Sequence, residues 1–320
     1  MLTSVGQRVD IARAFRAAGA TTLGVDADAL APALYHCDRR VIVPRIADAE
    51  YVPTLARLRE EHGVELVVPL NDLDFPVLAR ERDSLAPALV LLPDVEATAR
   101  MSDKLEAHRF FVANGIPSPR SWAPEEVPED VRFPVLVKAR EGFGSRNIHR
   151  AANAGELAFF LSYTEVPSFV QEVCLGEEFS IDVFSDMDGR CLNAIPRTML
   201  LSKGGESIKG VSLKDSELIE HGARVAEAVG VKGPANVQCF REPDGSLPVT
   251  DVNTRFGGGF PVPFAAGGRY PELALALARG ERPEPRLGDF VEGVAMTRYF
   301  SEVCLSPDAN GTLQPILPLP

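Results

Sequence analysis

The stretch Leu247-Pro248-Val249-Thr250-Asp251-Val252-Asn253-Thr254-Arg255-Phe256-Gly257-Gly258-Gly259 decides how this chain is read. Its first seven residues have the composition of a strand. Asp251 and Asn253 stand two apart, so both side chains point to one face. Ala235 to Arg241 reads as the preceding strand, joined to this one through Pro243-Asp244-Gly245-Ser246, a turn signal. Gln238 can therefore face the two residues from the paired strand. One carboxylate and two amide oxygens, with no sulfur or imidazole, suit Mg²⁺ whose octahedron phosphates would complete. Arg255 and the three glycines beside such a site suit stabilisation of negative charge in phosphoryl and acyl transfer. A polar sheet edge running into a loop would carry the same residues, and the other motifs have to decide between the two.

Working outward, Lys138-Ala139-Arg140-Glu141-Gly142-Phe143-Gly144-Ser145-Arg146-Asn147 sets a lysine at the end of the apolar strand Phe133 to Lys138 and glycines just after it. Glycines let backbone N–H groups close on phosphate oxygens, and the lysine adds a cation. The order is not that of a Walker A loop, in which the lysine follows the glycines. Alone, a flexible hairpin with a solvated lysine explains the segment equally well. Gln171-Glu172-Val173-Cys174-Leu175-Gly176-Glu177-Glu178 then joins a strand over Ser168 to Glu172 to an alternating one over Phe179 to Ser185. Its backbone could read an adenine edge and a carboxylate could accept from ribose hydroxyls; by itself it is an ordinary solvated turn. Pro196-Arg197 through Lys203 to Gly210 reads as a basic, glycine-rich loop, in which Arg197 and Lys203 either meet a ligand or are merely solvated. The five histidines sit in no ligand or triad spacing, and none is assigned to catalysis.

The first hundred residues alternate short apolar strands (near Leu2, Thr21 to Asp26, Val41 to Pro44, Val64 to Leu70 and Leu89 to Pro93) with helical patterns over Val9 to Ala18 and Asp48 to His62. Strands apolar along their whole length, separated by helices, predict a doubly wound parallel sheet covered on both faces. Asp26, about twenty residues after Gly6, invites a dinucleotide reading, but one glycine stands where that fingerprint wants three. A single helix is predicted from Asp94 to Asn114-Gly115, then a linker over Ile116 to Pro119. A helix over Asp215 to Val229 and a last strand around Gly293 to Phe300 complete the reading.

The chain has 320 residues, 45% hydrophobic and 24% charged, the balance of a globular protein of two or three modules. A net charge of −12 disfavours a nucleic-acid partner. Five scattered cysteines without C-x-x-C argue against a disulfide framework or zinc site, and no run approaches the ~20 apolar residues of a membrane helix. These features lead to the expectation of a soluble, cytoplasmic protein with no membrane partner.

Taken in order, these motifs resemble the ATP-grasp superfamily, in particular proteins similar to the carbamoyl-phosphate synthase large subunit, along nearly the whole chain. The resemblance implies a pre-ATP-grasp α/β domain (1–98), a two-subdomain ATP-grasp fold (99–305) with its lid at about 117–175, and a C-terminal tail (306–320). It implies ATP and one or two Mg²⁺ as cofactors. Lys104 and Lys138 would contact phosphates, Gly142, Gly144 and Ser145 would form the loop closing over them, and Glu172, Val173, Cys174 and Leu175 would hold adenine. Glu178 would take the ribose, Gln238, Asp251 and Asn253 the metal, and Arg255 the transferred phosphoryl group. Arg197, Lys203 and Gly258 are possible substrate or phosphate contacts. Position 251 is usually glutamate in this family; an aspartate there puts the second metal in doubt. The activity implied is a carboxylate–amine (or carboxylate–thiol) ligase working through an acyl phosphate, in which Arg255, Lys138 and Asn253 are the catalytic residues. Its alternatives are a phosphotransferase, half of a carbamoyl-phosphate-forming enzyme, or a non-catalytic nucleotide-binding regulator. Its partners would be a small carboxylate, an amine or thiol acceptor and, as a family expectation, a second copy in a homodimer.

Overall fold

The computed structural model describes residues 1–142, 147–203 and 206–317. It opens with β1 (Leu2–Thr3), α1 (Val9–Ala17), β2 (Leu23–Asp26), β3 (Arg39–Ile42), α2 (Tyr51–His62), β4 (Leu66–Pro69), α3 (Phe75–Arg80) and β5 (Leu89–Val90). The five strands pair in the order β3-β2-β1-β4-β5, all parallel, as the apolar runs of β4 and β5 between helices predict. Asp26 is engaged within the protein. Its carboxylate accepts from the Gly6 N–H at 2.8 Å and from the Asp28 N–H, closing the turn after β1.

The single helix expected after Asp94 is two: α4 (Val95–Ser102) and α5 (Lys104–Ala113). Asp103 breaks it. Its backbone is extended, its side chain accepts from the Leu105 and Glu106 N–H groups as an N-cap, and Arg140 pairs with the same carboxylate. A polar residue that can cap a new helix competes with continuation of the old one, and the register of apolar residues alone does not reveal it.

Next come β6 (Ser121–Trp122), β7 (Val135–Ala139), β8 (Ile148–Ala151), α6 (Ala154–Tyr163) and β9 (Ser168–Glu172). They form an antiparallel sheet, β6-β9-β7-β8, with its own small core of Val135, Val137, Ala151, Leu157 and Val170. The strand β8 is absent from the sequence reading, because Ile148-His149-Arg150-Ala151 is too short and polar to announce itself.

The larger sheet takes β10 (Glu177–Ser185), β11 (Cys191–Thr198), β14 (Gly233–Arg241) and β15 (Val249–Asn253) in the order β11-β10-β14-β15. α7 (Ser216–Val229) covers it, burying Leu218, Val225 and Ala226. The segment expected as a basic loop is a hairpin, β12 (Leu201–Lys203) and β13 (Glu206–Val211), with β16 (Ala295–Thr297) beside it. The helices α8 (Pro261–Ala265) and α9 (Tyr270–Ala278) follow the glycine run, and the expected tail holds a hairpin of β17 (Leu305–Pro307) and β18 (Leu313–Pro315). Arg40 reaches that hairpin through the Leu313 carbonyl and the Gln314 side chain.

One core cluster runs from Val5, just after β1, and Ile11 and Phe15 of α1 into Ile181 of β10, Val237 of β14 and Phe256, just after β15. Phe15 meets Phe256 edge-on at 6.0 Å. Each such side chain contributes about 1.5–3 kcal/mol on burial, so the two sheets are fixed against one another rather than tethered. No helix among the described residues is long and apolar enough to cross a membrane.

Candidate active site

The register between β14 and β15 builds the floor of a cleft of about 280 Å³. Gln238 lies directly opposite Asp251 and Asn236 opposite Asn253, so four oxygen-bearing side chains share one face. All four line the cleft. Asn236 escaped the sequence reading, although strand alternation from Gln238 points to it. Its amide donates to Asp182 at 3.0 Å, which keeps it part of the supporting floor.

Lys104, at the first turn of α5, donates to both oxygens of Asp251 at 3.1 and 3.0 Å, and Asn253 donates to the same carboxylate at 3.3 Å. Burial alone would raise the Asp251 pKa, but Lys104 and Lys138 more than offset it and hold the carboxyl below its usual range. A half-buried carboxylate kept ionised, with a cation already drawn to it and the Gln238 and Asn253 amides on the same sheet face, fits a hard cation such as Mg²⁺. Among the described residues there is no group of three or more His, Cys, Asp or Glu placed to hold a metal, so the site offers one carboxylate and neutral oxygens.

Lys138 projects from β7 into the cleft and is 8% exposed. Burial pushes its pKa down to about 8, against which the Asp251 charge works to raise it. Its ammonium donates to Gln171 Oε1 at 3.1 Å and lies 5.7 Å from the Phe169 ring centre. The Gln171 amide group contacts His108 Nε2 at 2.6 Å and donates to Ser121 Oγ at 3.0 Å. His108 Nδ1 meets Ser118 Oγ. Burial first, and then Lys138, lowers the His108 pKa to about 3, so the ring is neutral. A neutral ring that accepts at Nε2 carries its proton on Nδ1, toward Ser118. That arrangement fixes the Gln171 amide with its carbonyl toward Lys138. His108, Gln171, Ser118 and Ser121 therefore hold the lysine in place. No motif in the sequence announces it, because the residues come from α5, β6, β9 and the segment between α5 and β6.

Glu172, Val173 and Cys174 line the cleft wall, and Glu178 stands beside them. Burial raises the Glu178 pKa, with Arg197 and Lys138 opposing. Cys174 is pushed up to about 12 by burial and then by Glu242, so it is no thiolate nucleophile. Leu175 is 76% exposed and outside the lining, and its N–H already donates to Glu242 at 2.9 Å. Gly176 has no room for a side chain: a Cβ there would lie 1.8 Å from the Arg241 carbonyl oxygen.

Arg197 is not on a loop. It lies within β11, 2% exposed, with Nε donating to Asp182 at 2.8 Å and Nη1 to Ser207 at 3.2 Å, and it lines the cleft. Lys203 is exposed on β12, and the structure does not bring it to the cleft. Gly142 and Gly258 line it; Gly144 and Ser145 lie outside the described residues. Gly259 packs face-on to Arg197, since a Cβ would sit 2.1 Å from the guanidinium carbon.

Arg255 also lines the cleft. Its Nε donates to both oxygens of Asp72, at 2.9 and 3.1 Å, on the turn after β4. Arg8, on the turn after β1, donates to the Phe256 and Gly257 carbonyls at 2.8 and 3.1 Å, and Arg298 donates to the Gly258 carbonyl. The turns after β1 and β4, together with Arg298, thus grip the segment that follows β15.

Two family models match the chain: the PylC-like N-terminal domain over residues 1–92, and ATP-grasp in the biosynthetic pathway with Ter operon over residues 164–299. Among curated relatives, the carbamoyl phosphate synthase large chain of Clostridium botulinum (strain Alaska E43 / Type E3) is 26% identical over 222 residues, covering 60% of this chain and 21% of that one. The chain spans about a fifth of the length of the relatives it first matches. Among solved structures, Rhizobium etli pyruvate carboxylase superposes with TM-score 0.74 at 15% identity, covering 92% of this chain and 30% of that one. An L-amino acid ligase from Bacillus licheniformis superposes with TM-score 0.68 at 18% identity, covering 91% and 77%.

Proposed function

Because the chain belongs to the ATP-grasp superfamily, carbamoyl-phosphate synthase-like with an α/β domain ahead of the ATP-grasp body, we propose that it is an Mg·ATP-dependent carboxylate–amine (or carboxylate–thiol) ligase. In this reading residues 1–98 are the leading domain, 99–305 the ATP-grasp body and 117–175 its lid. The observation that carries it is that Lys104, Lys138, Arg197 and Arg255 share one cleft with Gln238, Asp251 and Asn253. Four cations and a set of hard oxygen donors in one pocket suit a polyphosphate with its metal and a second anion, where water-bound surface charges would not.

The adenine lies against Glu172 to Cys174, and Glu178 accepts from the ribose. Lys138, held by Gln171, spreads the charge of the phosphates, and Lys104 stands within reach of the same groups. Bound by Gln238, Asp251 and Asn253, Mg²⁺ would neutralise phosphate charge. A substrate carboxylate oxygen attacks the γ-phosphorus, ADP leaves, and an acyl phosphate results. The amine or thiol then adds to the acyl carbon, phosphate departs, and Arg255 stabilises the oxyanion between the two steps. No side chain forms a covalent bond, in keeping with the neutral Cys174 thiol.

Phosphate release from Mg·ATP, assayed against small carboxylates with and without amine acceptors, tests the proposal. Release that requires both a particular acid and an acceptor supports it. Tight Mg·ATP binding with no acid-dependent release would overturn it in favour of a nucleotide-binding regulator.

A further inference from the structure

The order β3-β2-β1-β4-β5 reverses direction between β1 and β4, so the turns after these two strands part at their carboxyl ends and leave a crevice. The acidic residues around it are not equivalent. Asp26 is spent on the Gly6 N–H, and Asp74 is buried under hydrogen bonds from Thr3, Ser4 and Tyr51. Asp72 alone of the three pairs with a side chain that lines the cleft, holding Arg255 through Nε only. Arg255 Nη1 donates to its own neighbour's carbonyl at 3.2 Å, and among the described residues no acceptor stands at Nη2. The side chains of the pair are 18% and 30% exposed, so both remain within reach of a ligand.

A substrate carboxylate that takes the outer edge of Arg255 comes to rest one guanidinium away from Asp72. Two carboxylates on one guanidinium leave a net negative charge in a half-buried place, which disfavours a plain carboxylic acid. A substrate whose own cation lies next to its carboxylate removes that repulsion and gives Asp72 a partner. We propose that Asp72 is the specificity-determining residue of this site, and that the activated substrate is a zwitterion of the amino-acid class, its ammonium on Asp72 and its carboxylate on Arg255. This rests on the ligase reading above and narrows its substrate. The existing ion pair persists; the substrate adds its carboxylate at the far edge of the guanidinium and turns its ammonium back toward Asp72.

The test uses hydroxylamine, a largely uncharged acceptor near neutral pH, so that only the acid's own charge is varied. Hydroxamate formation is measured with Mg·ATP for a panel of amino acids, each paired with its 2-deamino acid. The wild-type chain favours the amino acid by roughly 100-fold in kcat/KM. Asp72→Asn brings the ratio below about tenfold by effects of opposite sign: KM rises for the amino acid and falls for the deaminated acid, since Arg255 is released. KM for ATP stays within about threefold, and Asp72→Glu keeps most of the discrimination. A merely structural role for Asp72 would weaken both acids together. Equal use of both acids by the wild type, or an unchanged ratio in Asp72→Asn, overturns the inference and leaves the ligase reading standing. No hydroxamate from any acid, amino or deaminated, sinks the ligase reading and this inference with it.

Discussion

Replacing Gln171 with leucine removes the hydrogen-bond acceptor at the Lys138 ammonium, and the pH dependence of ATP use should report it. Burial has already brought Lys138 to about 8, from 10.5 for a free lysine. A hydrogen bond to a charged group contributes about 1.5–3 kcal/mol. At about 1.4 kcal/mol per pKa unit, its loss lowers Lys138 by a further one to two units. The measurement is kcat/KM for ATP across pH, whose basic limb follows groups of the free enzyme. The wild type should lose activity above pH ~8, and Gln171→Leu above about 6–7, so that near pH 8 the variant retains roughly 2–20% of wild-type kcat/KM. Gln171→Glu adds a negative charge and should move the limb upward instead. His108→Leu, which frees the amide to turn over, should move it in the leucine direction by a smaller amount. Stability runs with a definite sign. The lysine's pKa is lower folded than unfolded, so below about pH 8 the fold bears the full penalty of a buried ammonium. That penalty is relieved as pH rises from about 8 to 10.5, because only the unfolded chain still holds the proton. Lys138→Met should therefore raise the melting midpoint at pH 7 while abolishing turnover. A basic limb that stays in place in both Gln171 variants would show that this glutamine does not set the charge of Lys138.

Gly259→Ala should destabilise the chain by roughly 2–4 kcal/mol in urea unfolding, because its Cβ would fall 2.1 Å from a guanidinium pinned by the buried Asp182; a midpoint within error of wild type would mean that Arg197 is free to retreat. Gly176→Ala should cost at least as much, since the obstacle 1.8 Å away is a backbone carbonyl that cannot swing aside, and the same unfolding experiment checks it. Asp251→Ala should reduce Mg·ATP-dependent phosphate release by about 100-fold or more, and Asp251→Glu should retain activity and titrate with Mg²⁺ at lower concentration. If both variants hydrolysed ATP at the wild-type rate, residue 251 would not be a metal ligand.

The sequence by itself determined the parts of this protein that depend on local pattern. Period-two alternation put Asp251, Asn253 and Gln238 on one face, and apolar runs such as Leu66 to Leu70 required a parallel sheet covered on both sides. A turn signal between two strands fixed their pairing, and with it the floor of the cleft. Tertiary structure alone decided what lies across the chain from those residues. Arg197 reads as part of a basic loop until Asp182, fifteen residues earlier, is seen to bury it in β11. His108 has no motif spacing, and its role appears only when α5 packs against the β6-β9-β7-β8 sheet and meets Gln171, 63 residues away. Asp72 and Arg255 are separated by 183 residues, and nothing near either one announces the other. Side-chain period and turn chemistry are short-range properties written into neighbouring residues. Ion pairs and hydrogen bonds between distant segments are set by how whole layers pack, which no local window of sequence contains.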